Sequence, residues 1–137
     1  MTAGAAAGYS GRPLLKKLGV REGSTLTLVG APAGVIDAPP ASVTVRRQAR
    51  GSSDVVVAFF TRRQDLERRV EVLSRVIYPD GRLWVAWPKR SSGVQSTVNE
   101  DVVRAVALPL GLVDNKVCAI DETWSALQVV WRRERRP

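Results

Sequence analysis

Apolar residues form two kinds of pattern along this chain: continuous runs and repeats at helical spacing. Val55 to Phe60 is a continuous apolar run, which is typical of a strand buried on both faces, as in the centre of a parallel sheet. Apolar residues then recur at helical intervals at Leu66, Val70, Leu73 and Ile77, and again at Val98, Val102, Ala105 and Val106. The pattern therefore predicts amphipathic helices between apolar strands.

Turn residues and caps set the boundaries of the predicted elements. Thr61 with Gln64, and Thr97 with Glu100, fit capping boxes at the starts of two helices. The segment Gly30–Ala41 is rich in Gly, Ala and Pro, so we expect no full helix there. In chain order the pattern predicts a helix from Ser10 to Gly19, strands at Thr25–Val29, Ser42–Arg46 and Val55–Phe60, a helix after Thr61, a strand at Arg82–Trp87, a helix after Thr97, and strands at Lys116–Ile120 and Ala126–Trp131.

This order of elements predicts the fold class. Strands separated by helices imply right-handed crossovers and parallel pairing, whereas the last two strands are joined by the short turn Asp121–Thr123 and should form a hairpin. We expect an α/β protein with one Rossmann-like, mostly parallel sheet, helices on both faces and an antiparallel C-terminal hairpin. Its single domain would span residues 9–133, between a disordered tail at 1–8 and a basic tail at 134–137.

The composition removes several classes of active site. The 137 residues include no histidine, which excludes Ser-His-Asp and Cys-His nucleophiles and histidine-containing zinc sites. The one cysteine, Cys118, excludes disulfides within the chain, and its apolar strand predicts an inert, buried thiol. We expect no metal site. Carboxylates and lysine are left for any acid–base or electrostatic role.

The formal charge of +8 predicts little about partners, because 17 of the 21 basic residues are arginines that are mostly scattered, and the one dense block is at residues 132–136. No nucleic-acid recognition motif is present, so nucleic acid is not expected as a partner. No apolar run approaches the ~18 residues that a membrane span needs, and the start lacks a signal-peptide pattern. We expect a cytoplasmic protein that binds a small molecule or a protein, and homo-oligomerisation stays open.

Part of the chain resembles the methyltransferase-like Rossmann fold, loosely over residues 20–133. The matching features are the strand and helix that begin at Asp54, the turn Pro79-Asp80-Gly81 before the next strand, and the C-terminal hairpin. The segment Gly30–Gly34 stands where the family has its cofactor-binding glycine loop. The resemblance implies an S-adenosylmethionine or nucleotide-like ligand at this loop.

The sequence departs from that family at two points. The family's loop is Gly-x-Gly-x-Gly after an acidic residue, but here it holds Gly30 and Gly34 and no acid precedes it. The second strand of the family ends in an acid that binds ribose hydroxyls, as in dinucleotide sites. Here that strand runs into Arg46 and Arg47. We therefore do not expect S-adenosylmethionine in the usual pose, and the cofactor is unknown.

A second resemblance covers nearly the whole chain from Gly8 onward. The sequence is similar to the actinobacterial family called domain of unknown function 3052, and this resemblance implies no activity. The matching segments are Gly8-Tyr9-Ser10-Gly11, Gly30-Ala31-Pro32, Leu83-Trp84-Val85-Ala86-Trp87-Pro88-Lys89, Asn99-Glu100-Asp101-Val102-Val103-Arg104 and Asp121-Glu122-Thr123-Trp124-Ser125.

A candidate ligand site follows from the predicted topology, because open α/β sheets bind ligands at the carboxyl ends of their strands. Each member also has a purely structural interpretation: the tryptophans as core aromatics, the lysine and acids as surface ion pairs, and the glycines as a plain turn. The start of the helix at Asn99-Glu100-Asp101 would lie nearby, and Tyr9 to Gly11 would form a lid or cap the first helix. The candidate residues are Gly30, Ala31, Gly34, Trp87, Lys89, Asp121, Glu122 and Trp124.

Two functions remain open on this basis. The first is a non-catalytic module that binds a small ligand or a protein. The alternative is a small methyltransferase-like enzyme with a nucleotide-like or S-adenosylmethionine ligand. In that enzyme Lys89 would hold an anion, and Asp121 or Glu122 would be the general acid or base beside Trp87 and Trp124.

Overall fold

The computed structural model describes residues 12–137, the side chain of Arg12 excepted. The predictions for the tail 1–8 and for Tyr9 to Gly11 lie outside these residues. The helices are α1 (Arg12–Leu18), α2 (Arg63–Val76) and α3 (Glu100–Ala107), with short 3₁₀ turns at Arg90–Ser92, Leu108–Leu110 and Arg133–Arg135. The strands are β1 (Thr25–Val29), β2 (Thr44–Arg46), β3 (Val55–Phe59), β4 (Arg82–Pro88), β5 (Leu112–Ala119) and β6 (Trp124–Trp131).

All six strands form one sheet in the order β2-β1-β3-β4-β6-β5. The first four strands of that order are parallel, with Ala58 of β3 opposite Val85 of β4. Strand β6 runs antiparallel to both β4 and β5. The mostly parallel α/β sheet with an antiparallel C-terminal hairpin is therefore confirmed.

One face of the sheet packs against α2 and α3. All five residues of β3 are buried, as its continuous apolar run requires. On α2 the residues predicted from helical spacing, Leu66, Val70, Leu73 and Ile77, are all buried against this face. The amphipathic pattern thus placed the longest helix correctly.

The opposite face packs against α1. Leu15 and Leu18 are buried with Val57 and Trp84 on this face, and the Trp84 indole Nε1–H donates to the Leu18 carbonyl at 2.9 Å. Gly19 ends the helix with φ +90°, a conformation that favours glycine. Helices therefore cover both faces, although α1 has only seven residues.

Both predicted capping boxes are wrong. The side chain of Arg62, the N-cap of α2, makes no capping hydrogen bond. Instead the Thr97 hydroxyl accepts from Arg63 N at 2.7 Å. Helix α3 is capped by Asn99, whose Oδ1 accepts from Val102 N at 2.9 Å. Thr97 therefore caps a helix 34 residues earlier in the chain, because its own helix begins later than expected.

Three other details differ from the expectations. Helix α3 buries Val103 and Ala107, whereas Ala105 is exposed, because the helix is rotated relative to the predicted stripe. Strand β2 is shorter than expected, and all three of its residues are exposed at the sheet edge. Strand β5 begins at Leu112 and has a register shift between Asp114 and Lys116, so its first half was missed.

The C-terminal residues also differ from a free basic tail. Arg133–Arg135 forms a 3₁₀ turn, and the Arg135 side chain lies against Gly111, where an added Cβ would be 3.1 Å from Cζ. Arg136 is half-buried, with Nη1 at 3.9 Å from Asp80 Oδ1. Arg135 and Arg136 therefore contact the domain.

None of the helices in the described part of the chain is both long and apolar enough to cross a membrane.

Candidate functional site

The glycine turn after β1 lies against the neighbouring strand β3. Gly30 has φ +66°, and a Cβ added to it would be 3.1 Å from the Phe59 carbonyl oxygen. Gly34 has φ +74° and has no atom within 4 Å of an added Cβ. Ala31, between them, is half-buried against the α1-side core. Gly30 is thus required by close packing, whereas Gly34 only turns the chain into open space.

Trp124, at the start of the last strand, contacts Phe59, the same residue of β3 that Gly30 approaches. Its ring meets that of Phe59 edge to face, with 5.1 Å between centroids and an interplanar angle of 86°. Trp124 is half-buried on the α1 face. The strand ends of β1, β3 and β6 are therefore brought together, as the topology predicted.

The structure places the two candidate tryptophans on opposite faces of the sheet. In the β4–β6 register Trp87 lies opposite Ser125, and Trp124 lies opposite Pro88. Successive residues of a strand point to opposite faces. Trp87 is 8% exposed and belongs to the core beneath α2 and α3. It has the surroundings of a core aromatic.

Lys89 and Asp121 are in contact, but through main-chain groups. The Lys89 ammonium donates to the Asp121 carbonyl oxygen at 2.7 Å, and Lys89 N donates to the Thr123 carbonyl at 2.7 Å. The Asp121 carboxylate accepts from Thr123 N at 2.8 Å and from Trp124 N at 2.7 Å. The two Lys89 bonds hold the turn before β6 against the end of β4, and the two Asp121 bonds close the turn itself.

Glu122, in the same turn, is exposed. An acid–base carboxylate needs a free oxygen aimed at a reacting group. Asp121 Oδ1 accepts from two backbone N–H groups, which fixes this carboxylate in the turn, and neither acid is aimed at a pocket in the described residues. Lys89 and the turn before Trp124 are in contact, Trp87 lies on the other face of the sheet, and the bonds of Lys89 and Asp121 go to main-chain groups.

The acids at the start of α3 belong to a separate ion cluster. Arg104 donates to Glu100, to Asp101 Oδ1 at 3.2 Å and to Asp114 Oδ2 at 3.0 Å. The hydrogen bond to Asp114, followed by that to Glu100, raises the pKa of Arg104 above its ordinary value. Glu100 and Asp101 therefore pair within α3 and with β5.

Three arginines gather where β2 ends. Arg46 Nη1 donates to the carbonyl oxygens of Arg50 at 3.4 Å and Ser52 at 3.2 Å, which fixes the loop that leads to β3. Arg47 and Arg50 are exposed. A wide cavity of about 730 Å³ is lined by Arg46 to Gln48 and by Arg50 and Gly51. Because the guanidinium group only donates hydrogen bonds, this end of β2 suits an anion.

Cys118 is only half-buried, so the predicted inert burial is wrong in part. It lines a cavity of about 430 Å³ with Lys17, Trp84 and Lys116 on the α1 face. Burial raises the pKa of the Cys118 thiol, and the charge of Lys17 lowers it by a smaller amount. Helix α1 does not extend over β5, and this explains the exposure.

Further cavities lie at the opposite, amino-terminal ends of the parallel strands, where no site was predicted. One of about 450 Å³ is lined by polar residues that include Ser24, Asp54 and Arg82. Another of about 290 Å³ contains the side chain of Gln128. A sequence signal for the second existed: Gln128 is the one polar residue within Ala126–Val130.

The chain is similar in structure to methyltransferases. The SAM-dependent methyltransferase of Aquifex aeolicus has a TM-score of 0.65 and 15% identity, over 88% of this chain and 88% of that one. The magnesium protoporphyrin IX methyltransferase of Synechocystis PCC 6803, solved with bound SAM, has a TM-score of 0.66 and 12% identity, over 90% of this chain and 78% of that one.

A third similar structure is the N-methyltransferase NodS of Bradyrhizobium japonicum WM9, with a TM-score of 0.55 and 12% identity, over 85% of this chain and 92% of that one. No family model matches the sequence, and no curated protein matches it. At these identities the likeness shows the fold alone. The resemblance to the domain of unknown function 3052 stays a prediction.

Proposed function

We propose that this chain, which has the methyltransferase-like Rossmann fold, is a binding domain for a phosphate-bearing nucleotide at the carboxyl ends of its parallel strands. The observation that carries the proposal is the arginine cluster at the end of β2, one strand away from the Gly30 turn. In dinucleotide sites an arginine at this place accommodates a phosphate on the ribose.

The glycine turn supports the same location. Gly30 to Gly34 follows β1, and Gly30 lies against the Phe59 carbonyl, so the main chain of the turn is fixed where a ligand would approach. The Trp124 ring, edge to face with Phe59, offers an apolar surface at the same strand ends. Small-molecule sites combine such an apolar wall with a few fixed polar groups.

The residues at the end of β2 do not fit S-adenosylmethionine. The ribose hydroxyls of that molecule donate hydrogen bonds, and the fold family meets them with a carboxylate. Here Arg46, Arg47 and Arg50 provide donors only. A phosphate group provides hydrogen-bond acceptors and negative charge, and both are complementary to arginine. A ribose diol carries no negative charge and is a poorer partner for these three side chains.

The polar contacts near Trp124 support binding without catalysis. The Asp121 carboxylate is bonded to two backbone N–H groups, and the Lys89 ammonium is bonded to a carbonyl oxygen. Glu122 is exposed to solvent. No step of a reaction is assigned to these residues.

The second candidate is methyl transfer. It is favoured by the similarity to three solved methyltransferases. It requires a binding mode for S-adenosylmethionine that does not depend on an acid after β2. Methyl transfer predicts that S-adenosylmethionine binds, whereas the nucleotide-binding function predicts that it does not.

Calorimetric titration of the full chain with ADP, NADP and S-adenosylmethionine separates the two functions. We expect NADP, whose ribose carries a phosphate, to bind more tightly than ADP, whose ribose has a diol in its place, and we expect S-adenosylmethionine not to bind. At about 100-fold excess over Kd, a ligand should stabilise the fold by about 2.7 kcal/mol, measurable as a higher Tm.

The matched variants are Arg47→Gln and Arg68→Gln, both at exposed arginines. Arg47→Gln should weaken nucleotide binding about tenfold, whereas Arg68→Gln, on α2, should leave it unchanged. Binding of S-adenosylmethionine that is tighter than that of both nucleotides would support the methyltransferase instead. If none of the three ligands binds, the proposal is wrong.

A further inference from the structure

A second group of polar side chains surrounds an open cavity at the amino-terminal end of β4, away from the nucleotide site proposed above. The cavity of about 290 Å³ is bounded by the turn before β4, by β5 and β6, and by the C-terminal turn. The side chains that matter here are Asp80, Arg82, Lys116, Gln128 and Arg136. They bring together residues that are up to 56 positions apart in the sequence.

Gln128 is the most unusual of these residues. It lies opposite Trp84 in the β4–β6 register, and it is only 1% exposed. Its Nε2 is buried and has no hydrogen-bond partner. Within residues 12–137 nothing bonds to its amide. Because an unpaired buried amide destabilises a fold, such groups are nearly always satisfied by water or a ligand.

Arg136 contributes a second unpaired donor to the same cavity. Its Nε is buried without a partner, although its side chain as a whole is 33% exposed. The one ion pair of this guanidinium is long, at 3.9 Å from Nη1 to Asp80 Oδ1, and the Asp80 side chain is 82% exposed. The pair leaves Nε free to donate into the cavity.

The remaining charges make the cavity cationic. The side chains of Arg82 and Lys116 form no hydrogen bond or ion pair with other described residues. Arg82 is held in place by packing, since a Cβ on Gly19 would be 2.9 Å from its Cδ. Three cations therefore face one carboxylate, Asp80, among the residues that line the cavity.

A set of unpaired donors and cations is complementary to an oxyanion, which offers acceptors only. We infer that this cavity binds a phosphate group, either as free phosphate or as a phosphomonoester. Gln128 Nε2 and Arg136 Nε donate to the phosphate oxygens, and Arg82 and Lys116 balance the charge. The volume is about ten times the ≈30 Å³ share of one water molecule, so it leaves room for an organic group beside the phosphate.

The test is an NMR titration of the full chain that follows the side-chain NH₂ signal of Gln128. The probes are inorganic phosphate and ribose 5-phosphate at constant ionic strength, with chloride and ribose as controls. We expect a saturable shift with phosphate or ribose 5-phosphate and none with the controls.

Tighter binding of ribose 5-phosphate would identify a phosphomonoester as the ligand, and tighter binding of inorganic phosphate would identify the free ion. No saturable shift with either probe would mean that water alone satisfies Gln128, and would overturn the inference.

Variants test the two donors separately, with phosphate affinity measured by calorimetry. Gln128→Leu keeps the shape of the side chain and removes the unpaired amide. It should raise the Tm in phosphate-free buffer by about 3 °C and weaken phosphate binding at least tenfold. Arg136→Gln should weaken binding about tenfold, whereas Arg132→Gln, at an exposed arginine nearby, should not. Equal losses in the two arginine variants, or full affinity in Gln128→Leu, would show that general surface charge holds the anion, and would refute the site.

Discussion

The two ends of strand β4 differ in how their polar side chains are satisfied. At the carboxyl end, the side chains of Asp121, Lys89 and Thr97 all bond to main-chain groups. At the amino-terminal end, Gln128 and Arg136 keep buried N–H groups without partners. Fold topology predicts a ligand site at the carboxyl end. The unsatisfied buried donors predict one at the amino-terminal end.

This difference separates two kinds of argument about sites. Topology says where parallel strands offer space to a ligand in many proteins. Unpaired buried donors say where this particular chain needs a partner. The two criteria select different places here, and the variants below test whether each end behaves as its contacts predict.

The largest effect is expected from Gly81→Ala, at the turn before β4. A Cβ there would be 2.7 Å from the Ser53 carbonyl oxygen and 2.8 Å from that of Ile77, and both are backbone atoms that cannot turn aside. Unfolding in urea should show a loss of about 3 kcal/mol. The control is Gly93→Ala, where φ is +78° but no atom lies within 4 Å. It should lose about 1–2 kcal/mol, and equal losses would contradict the argument from close packing.

Asp121→Ala tests whether the carboxyl end is held by its own side chains. The variant removes the acceptor of two backbone N–H groups, so the free energy of unfolding should fall by about 1–2 kcal/mol. Asp121→Asn keeps an acceptor oxygen and should lose less than half as much. If the asparagine variant loses as much as the alanine variant, the carboxylate charge, rather than the turn, is what matters at this position.

Thr27→Val removes a buried polar group that is satisfied. Thr27 Oγ1 donates to Ser53 Oγ at 2.9 Å, and both residues are buried. The substitution keeps the shape of the side chain and should cost about 1 kcal/mol in urea unfolding. Gln128→Leu should have the opposite sign, because its amide has no partner. If both variants change the free energy of unfolding in the same direction, the difference between a satisfied and an unpaired buried group has no energetic effect here.

The smallest effect concerns the Cys118 thiol. Because burial raises its pKa in the folded chain, the folded state holds its proton at pH values where the unfolded state has lost it. The contribution of this thiol to the free energy of unfolding is therefore fully present below the pKa of the unfolded thiol. It is lost as pH rises from there towards the folded pKa. Urea unfolding at pH 7 and at pH 10, compared with Cys118→Ala, isolates this contribution. A greater pH dependence in the alanine variant would contradict the sign.

Much of the fold was predictable because its signals are local. The apolar run at Val55 to Phe60 and the spacing on α2 need only a few neighbouring residues to be interpreted. The helix caps were not predictable in this way. Thr97 lies beside Asn99 and Glu100 in the sequence, yet its hydroxyl accepts from Arg63, and only the packing of α2 against α3 brings the two together.

The candidate site was predictable to the level of strand ends. Parallel pairing predicted Gly30, Lys89 and Trp124 at one edge. The structure bonds Lys89 to the turn before Trp124 and places Gly30 and Trp124 each against Phe59. It was not predictable that Trp87 and Trp124 would face apart, since that depends on the register of the hairpin. The unpaired amide of Gln128 depends on how the C-terminal turn packs, which no local pattern encodes.

The hydrogen bond between Arg63 and Thr97 also has a consequence for the order of folding during synthesis. Helix α2 leaves the ribosome before its capping residue, which follows 34 positions later. At the usual 5–20 residues per second, the first turn of the helix waits about 2–7 s for its cap. Until residue 97 emerges, the unit formed by β3 and α2 lacks this contact, so its completion is tied to the next segment of the chain.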